Sequence, residues 1–378
     1  MREIKPDYYD KFACIAGRCP MTCCQEWKIA VDPVTEQKWK EKKDLFSAVC
    51  TKEEQRVIGL TEDHKCPFLN DEKLCSLVLT YGDELLSKTC RMFPREEHQY
   101  GDHVERSLMV CCPAVIDLLM EQEKIRFVET GEKNERCAQS REAVRNMIQL
   151  REKLLQIMQD KQSTPGKNLL MIFYLLLETA EKKELTAKNI QICFSSEYRK
   201  QLSHAIDDAE IKILDTFEER NELFLDLAVN YRREGLYQSY LKTIAERAQQ
   251  ISEHCEAEQM TERIARFEQY FLKYEHLMRN FLTEEIFADS YMPGGNLSDM
   301  MIRLQWLAME YAVIRHAILL RWMELGEPEE IPYETVRDYM AVVARMTGYD
   351  EQDIYEYLEN SFERIIWDWG YFALITGK

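Results

Sequence analysis

CIAGRCPMTCC, residues 14–24, places Cys14, Cys19, Cys23 and Cys24 within eleven positions, and what those thiols do decides how the chain around them folds. Cys66, Cys75, Cys90 and the pair Cys111-Cys112 follow, and with Cys50 ten of the thirteen cysteines fall within the first 112 residues. A hydrophobic core recruits no such density. The thiolate is both a nucleophile and a soft metal ligand, so clustered thiols in a reducing compartment point to metal or redox chemistry. In an oxidising compartment the same cysteines would be a disulfide framework.

The compartment is therefore the next question. MREIKPDYYDKF at 1–12 is charged throughout and has neither an apolar core nor a small-residue cleavage site, so no signal peptide is expected. The longest apolar run, LLMIFYLLL at 169–177, is nine residues, against the roughly 20 that cross a bilayer. It reads as a buried helix segment, or at most an interfacial one, which leaves peripheral attachment to a membrane open. An odd thiol count in 378 residues also fits poorly with a disulfide scaffold, a device of domains too small for a core. The expectation is a cytoplasmic protein whose thiols are reduced or metal-bound.

Thirteen glycines and ten prolines are few for this length, and long periodic stretches with few breakers mean mostly helix. The net charge of −18 argues against nucleic acid as a partner, since phosphate binding needs clustered Lys and Arg. An acidic surface could attract a lysine-bearing protein, although a solvated face that maintains solubility is the plainer reading. The expected fold is mainly α: a cysteine-rich, metal-stabilised α+β domain with short strands over 1–137, then a helical bundle over 138–378.

In the first part, WKIAV at 27–31 reads as a strand or short buried segment stopped by Asp32-Pro33, and 33–60 reads as helical. Asn70-Asp71 is a turn between thiols, a short helix covers 76–86, and 98–110 is a hairpin around Gly101-Asp102. Pro113 opens the next helix. In the second part helices are expected at 141–160, 167–183, 187–194, 196–213, 215–232, 236–256, 260–284, 299–325 with Ser298 as N-cap, 333–346 and 350–367. Met300, Met301, Met309 and Met323 read as adaptable core.

Four converging thiolates satisfy tetrahedral zinc or the corners of a four-iron cluster, and spacing alone separates these weakly. The radical C-x3-C-x2-C motif is absent, because Glu26 stands where its third thiol would be. Arg91 and Arg95 flank Cys90 and could offset the negative charge of a thiolate-bound group. Trp27 could shield the site from water. His64, His98 and His103 are near the thiols in sequence, though a lone histidine is more often not a ligand. No Asp, Glu or Tyr identifies itself as a base.

YYDKFACIAGRCPMTCCQEWKI at 8–29, with its pattern F-x-C-I-x3-C-x3-CC-x2-W, resembles the opening of the flagellin lysine N-methylases. CPFL at 66–69, LC at 74–75, Gly82, LSKTCRMFPR at 86–95 and ERSLMVCCPA at 105–114 are similar to the same family. Three separately placed cysteine motifs thus occur in order over 8–120. A looser similarity continues in FEQYFLKY at 267–274 and YAVIR at 311–315. Phe93 stands where the family suggests Tyr.

The resemblance implies a protein-lysine N-methyltransferase that moves methyl groups from S-adenosylmethionine to lysine ε-amines of flagellin and depends on a cysteine-ligated 4Fe-4S cluster. Its thiols correspond to Cys14, Cys19, Cys23, Cys24, Cys66, Cys75, Cys90 and Cys112. Eight exceed what one cluster requires, so some are structural or a second metal is bound. Cys50, Cys111, Cys137, Cys193 and Cys255 lie outside the pattern and read as buried small hydrophobes. The alternative is a non-catalytic module, zinc- or iron-sulfur-binding, that docks a partner or senses redox state.

Overall fold

A computed structural model describes residues 2–52, 54–131, 142–253, 257–348, 354, 355, 357 and 369–377. Arg2–Pro6 (β1) is extended although nothing in REIKP favours a strand. It is recruited by its neighbours, running parallel to residues 103–105 on one side and antiparallel to 127–130 on the other, which is how tertiary context overrides local preference.

Residues 33–60 are not one helix. Pro33–Lys40 (α1) and Lys43–Phe46 (α2) give way to an antiparallel hairpin of Val49–Lys52 (β2) and Gln55–Ile58 (β3). Val49, Thr51, Val57 and Ile58 are β-branched and suit a pleated surface better than a helix. Residues 29–31 lie along β3, with the Ile58 amide donating to the Ile29 carbonyl (2.9 Å) and the Val31 amide to that of Arg56 (2.8 Å).

Asp32 ends that segment and caps α1. Its carboxylate accepts from the Thr35 amide (3.0 Å) and, across the fold, from the Lys88 amide (2.8 Å). Burial alone would raise its pKa, but the bonds from Lys88 and Thr35 win and hold it down at about 2. A depressed carboxylate contributes stability above its unfolded value of 3.8 and loses it as pH falls towards 2. Asp32→Ala is expected to cost about 1–2 kcal/mol at neutral pH. The difference from the parent should shrink near pH 3, as urea melts at the two pH values would show.

Ser76–Tyr81 (α3) and Lys88–Met92 (α4) lead into the predicted hairpin, Arg95–Tyr100 (β4) and His103–Leu108 (β5), with Gly101 at φ 49° in its turn. Pro113–Glu121 (α5) follows with proline at its start, and Phe127–Thr130 (β6) completes a sheet of order β4-β5-β1-β6.

Helices make up the rest: Glu142–Met158 (α6), Pro165–Ala180 (α7), Ala187–Cys193 (α8), Ser196–Asp208 (α9), Ile213–Arg233 (α10) and Gln238–Glu253 (α11). The expected helix at 260–284 is two, Ala257–Phe271 (α12) and Glu275–Ala288 (α13), separated by a tight turn at Leu272–Tyr274. There the Tyr274 hydroxyl donates to the Ile331 carbonyl (2.7 Å), a long-range anchor that local sequence does not reveal. Leu297–Glu324 (α14) is capped by Asn296, which forms a reciprocal box with Asp299, and not by Ser298. Tyr333–Thr347 (α15) and Trp369–Thr376 (α16) close the list, and most of the expected 350–367 helix lies outside the described residues.

One core joins Tyr8, Leu108 and Val115 to the buried faces of α6, α7, α10 and α13–α16, and it contains all four methionines of α14. A smaller one surrounds Trp39, with Ile29, Ile58, Leu77 and Leu86. Trp27 borders both. Among the described residues no helix is long and apolar enough to cross a membrane.

Candidate metal centre

The 14–24 loop is held in place by its own backbone. A tight turn at Ala16–Arg18 separates Cys14 from Cys19, and a Cβ on Gly17 would come within 2.7 Å of the Glu72 carbonyl oxygen, so only glycine lets the loop approach the 70–74 turn. That turn is built by Asn70, whose side chain accepts from the amides of Leu74 (2.8 Å) and Glu72 (3.1 Å), and it delivers Cys75 to the head of α3. The Cys66 amide donates to the Cys24 carbonyl (2.8 Å). Cys90 sits in α4 behind its cap, Ser87, and Cys112 itself caps α5. Glu26 accepts from the Tyr237 amide (3.0 Å), which fastens the double-cysteine loop to the helical part.

These elements converge on a cavity of about 460 Å³. Cys14, Cys19, Cys23, Cys24, Cys75, Cys90 and Cys112 line it, and Cys66 is buried behind them beside Cys24. The eight thiols of the sequence pattern therefore come together. Cys111 and Cys193 are buried as expected, but Cys50 is exposed on β2, which corrects its reading as a buried hydrophobe. Cys137 and Cys255 lie outside the described residues.

Within the cavity the thiols fall into two overlapping neighbourhoods. Cys19 feels Cys14 and Cys23, and Cys112 feels Cys19 and Cys23, whereas Cys24 lies against Cys66 and Cys75, and Cys90 is near Cys23 and Cys75. Burial pushes Cys90 up to about 11 and Cys112 up to about 12, although hydrogen bonds from Ser87 and from the Val115 and Ala114 amides act against it. A bond with Cys23 alone would lower Cys24, but Cys66 and burial carry it up to about 12. A bound cation would supply the charge that opposes burial and favours thiolates there.

Arg91 and Arg95 both line the cavity. Arg91 donates to the carbonyls of Asp83 (3.2 Å) and Leu86 (3.3 Å), and Arg95 to that of Phe12 (3.4 Å). A third guanidinium, unforeseen from the sequence, comes from α15. Arg345, 7% exposed, donates to the carbonyls of Met21 (2.8 Å), Thr22 (3.2 Å) and Cys111 (3.2 Å). It also lies over Trp27, 5.5 Å from the ring centre, and its charge favours the thiolates of Cys19 and Cys23. Trp27 donates to the Cys23 carbonyl (2.6 Å) and meets Phe93 edge-on at 4.8 Å, so aromatic rings close this wall.

The three histidines do not line the cavity. His103 is fully buried and bonded to Asp102 (2.8 Å) and Glu105 (3.0 Å), His64 lies near Gly235, and His98 is grouped with Glu96 and Asp289. Among the described residues no three thiols have sulfurs within 4.8 Å of one another. Four thiolates on one zinc ion at about 2.3 Å stand about 3.8 Å apart, so zinc would require the sulfurs to draw together. The all-sulfur donor set is also the one that an iron–sulfur cluster takes.

Fold and cavity define a class: a mainly helical protein with a cavity lined by cysteines. The chain belongs to the FliB lysine N-methylase family, since the family profile described as the FliB lysine N-methylase C-terminal domain matches residues 151–375, more than half of the chain. The matched part contains Arg345, while the eight thiols all precede it. The lysine-N-methylase of Salmonella typhimurium (strain LT2) is 31% identical over 134 residues, covering 32% of this chain and 33% of that protein. Its counterpart in Salmonella choleraesuis is 32% identical over 136 residues, with the same coverage. The flagellar biosynthetic protein FliU of Salmonella muenchen is 31% identical over 134 residues, 32% of this chain and 79% of the relative. The match thus spans about a third of the length of the two curated methylases. No solved structure matches the chain.

Proposed function

We propose that the protein methylates lysine ε-amino groups of flagellin in the cytoplasm, using S-adenosylmethionine, and that the thiol cavity holds a 4Fe-4S cluster on which the reaction depends. The observation that carries the reading is the cavity that seven of the eight thiols share with Arg345, in a chain of a family whose curated relatives are named lysine-N-methylase. The name FliU of one relative supports a flagellar substrate. Cys14, Cys19, Cys23, Cys24, Cys66, Cys75, Cys90 and Cys112 supply twice the four thiolates a cluster takes. When bound, the cluster supplies redox-active iron.

The chain's own residues do the rest. Arg345, Arg91 and Arg95 place positive charge around thiolates and fix the loop carbonyls. Trp27 and Phe93 keep water from that wall. The cavity's 460 Å³ is within the range of about 300–1,000 Å³ that holds cofactors and ligands.

The test is mass spectrometry of flagellin incubated, without oxygen, with the iron-loaded protein and S-adenosylmethionine. Methylated lysines that vanish when the methyl donor is withheld are the expected result. Unmodified flagellin in the presence of fully loaded protein contradicts the reading and moves a non-catalytic metal-binding or redox-sensing module to first place.

A further inference from the structure

A second cavity, of about 130 Å³, borders the first, and Trp27 and Arg345 belong to the walls of both. Glu96 from β4, Glu285 and Asp289 from the end of α13, and Glu310 from α14 face its interior, with Trp306 beside them. No thiol of the eight enters it. Carboxylates crowded into a confined space are costly unless paired or protonated, so four around one small cavity, Glu310 buried and the others half-buried, need an explanation.

Burial first, and then repulsion from Glu310, Asp289 and Glu96, holds Glu285 well above the ordinary carboxylate range. Burial likewise raises Glu96, Asp289 and Glu310, against the Arg303 charge beside Asp289 and the Thr347 hydroxyl that donates to Glu310 (2.9 Å). The buried Nε2 of His98, on β4 with Glu96, has no hydrogen-bond partner among the described residues. His98, Glu96 and Asp289 each bring a ligand atom within 4.8 Å of the others, so the imidazole faces the carboxylates. Such a set recognises a cation.

We infer that this cavity receives the side chain of the substrate lysine, its ammonium among Glu96, Glu285, Asp289 and Glu310 and its methylenes against Trp27 and Trp306. The inference rests on the lysine methylation proposed above and adds where the substrate lies. A cavity of about 150 Å³ accommodates benzene, and a lysine side chain has one heavy atom fewer. An ammonium is attracted to the negative face of an indole, and a methylated ammonium keeps that attraction while it loses hydrogen bonds. Both indoles are fixed, Trp306 by donating to the Thr347 carbonyl (2.7 Å) and Trp27 by its bond to Cys23 in the thiol loop. A carboxylate raised towards neutrality is a matched base. One proton passes from the ammonium nitrogen to a carboxylate oxygen, which leaves the amine neutral with a free lone pair.

A divalent cation on Glu96, His98 and Asp289 is the other occupant this donor set fits. The indole walls, and the further carboxylates of Glu285 and Glu310, favour the ammonium. The test uses the full chain prepared without oxygen and measures binding of a flagellin-derived peptide with one lysine, of its acetyl-lysine counterpart, and of Mn²⁺ alone. The lysine peptide should bind and the acetylated one should not. The double substitution Glu285→Gln, Glu310→Gln and, separately, Trp306→Ala should each weaken binding by about tenfold or more, with iron content unchanged. Wild-type affinity and methylation in the double variant overturn the inference and leave the activity standing. Stoichiometric Mn²⁺, lost in His98→Ala and not displaced by the lysine peptide, overturns it in favour of a metal site. Carboxylate-dependent peptide binding by a protein that methylates nothing supports the site and removes the activity.

Discussion

Arg345→Met is expected to cost on the order of 3 kcal/mol of unfolding free energy and to release whatever the thiols hold. Methionine fills much of the same space, so the loss is chiefly polar. The carbonyls of Met21, Thr22 and Cys111 lose a charged donor, in a wall where water does not replace it. Each buried acceptor left without a partner costs about 1–3 kcal/mol before relaxation. The consequence for the site is larger than that for stability. Met21 and Thr22, with Pro20, lie between Cys19 and the Cys23-Cys24 pair, so freeing their carbonyls frees the loop that spaces three thiols. Iron content after anaerobic loading should fall to a small fraction of the parent's, with denaturant melts reporting the stability loss. Arg345→Lys should recover part of the stability, because one ammonium cannot span three carbonyls, and little of the iron. Full iron retention in Arg345→Met would show that the guanidinium only braces the fold.

Arg151→Met is expected to destabilise the protein by about 3–5 kcal/mol, the usual result of stranding one member of a buried ion pair. Arg151 and Glu105, 2% and 3% exposed, meet at 2.5 Å, and Arg151 also donates to the Phe287 carbonyl (3.0 Å). The pair ties β5 to α6 and α13, the seam on which the N-terminal sheet is docked. Burial would raise Glu105, but His103 and Arg151 win and lower it, while burial would lower His103, but Glu105 and Asp102 win and raise it. The signs follow. Glu105 contributes above its unfolded value of 4.5 and loses that contribution as pH falls further; His103 contributes below its unfolded value of 6.5 and loses it as pH rises through its higher folded value. Both act fully between about pH 4.5 and 6.5. Unfolding free energy measured across that range should show a shoulder in the parent whose acid side is blunted in Arg151→Met.

The helical part was largely legible because its apolar periodicity is long and its breaks carry Pro, Gly or capping residues. Thr164-Pro165 and the 291–296 loop are such cases. What failed did so where distant contacts decide. Residues 49–58 are a hairpin because β3 pairs with 29–31, β1 is a strand only because two partners flank it, and the break at 272–274 depends on the Tyr274 bond to Ile331. The site was half legible. Cysteine density pointed to the N-terminal third, and the eight thiols that the resemblance singled out lie together, seven of them lining one cavity and Cys66 beside Cys24. Arg345 and Glu310 went unremarked, yet each is a charge inside an otherwise apolar helical run, AVVARM at 341–346 and LAMEYAV at 307–313. A helix buried all round has no solvated face for such a residue, so its presence there marks a partner or a site.

Iron and acid-labile sulfide analysis with electron paramagnetic resonance, on protein purified without oxygen and on its Cys19→Ala, Cys23→Ala double variant, tests the central claim most directly. The account predicts about four irons and four sulfides per chain, a reducible cluster signal, and loss of both in the variant while its helical content is retained. Stoichiometric zinc without iron after anaerobic reconstitution, or iron and sulfide undiminished in the variant, would contradict it.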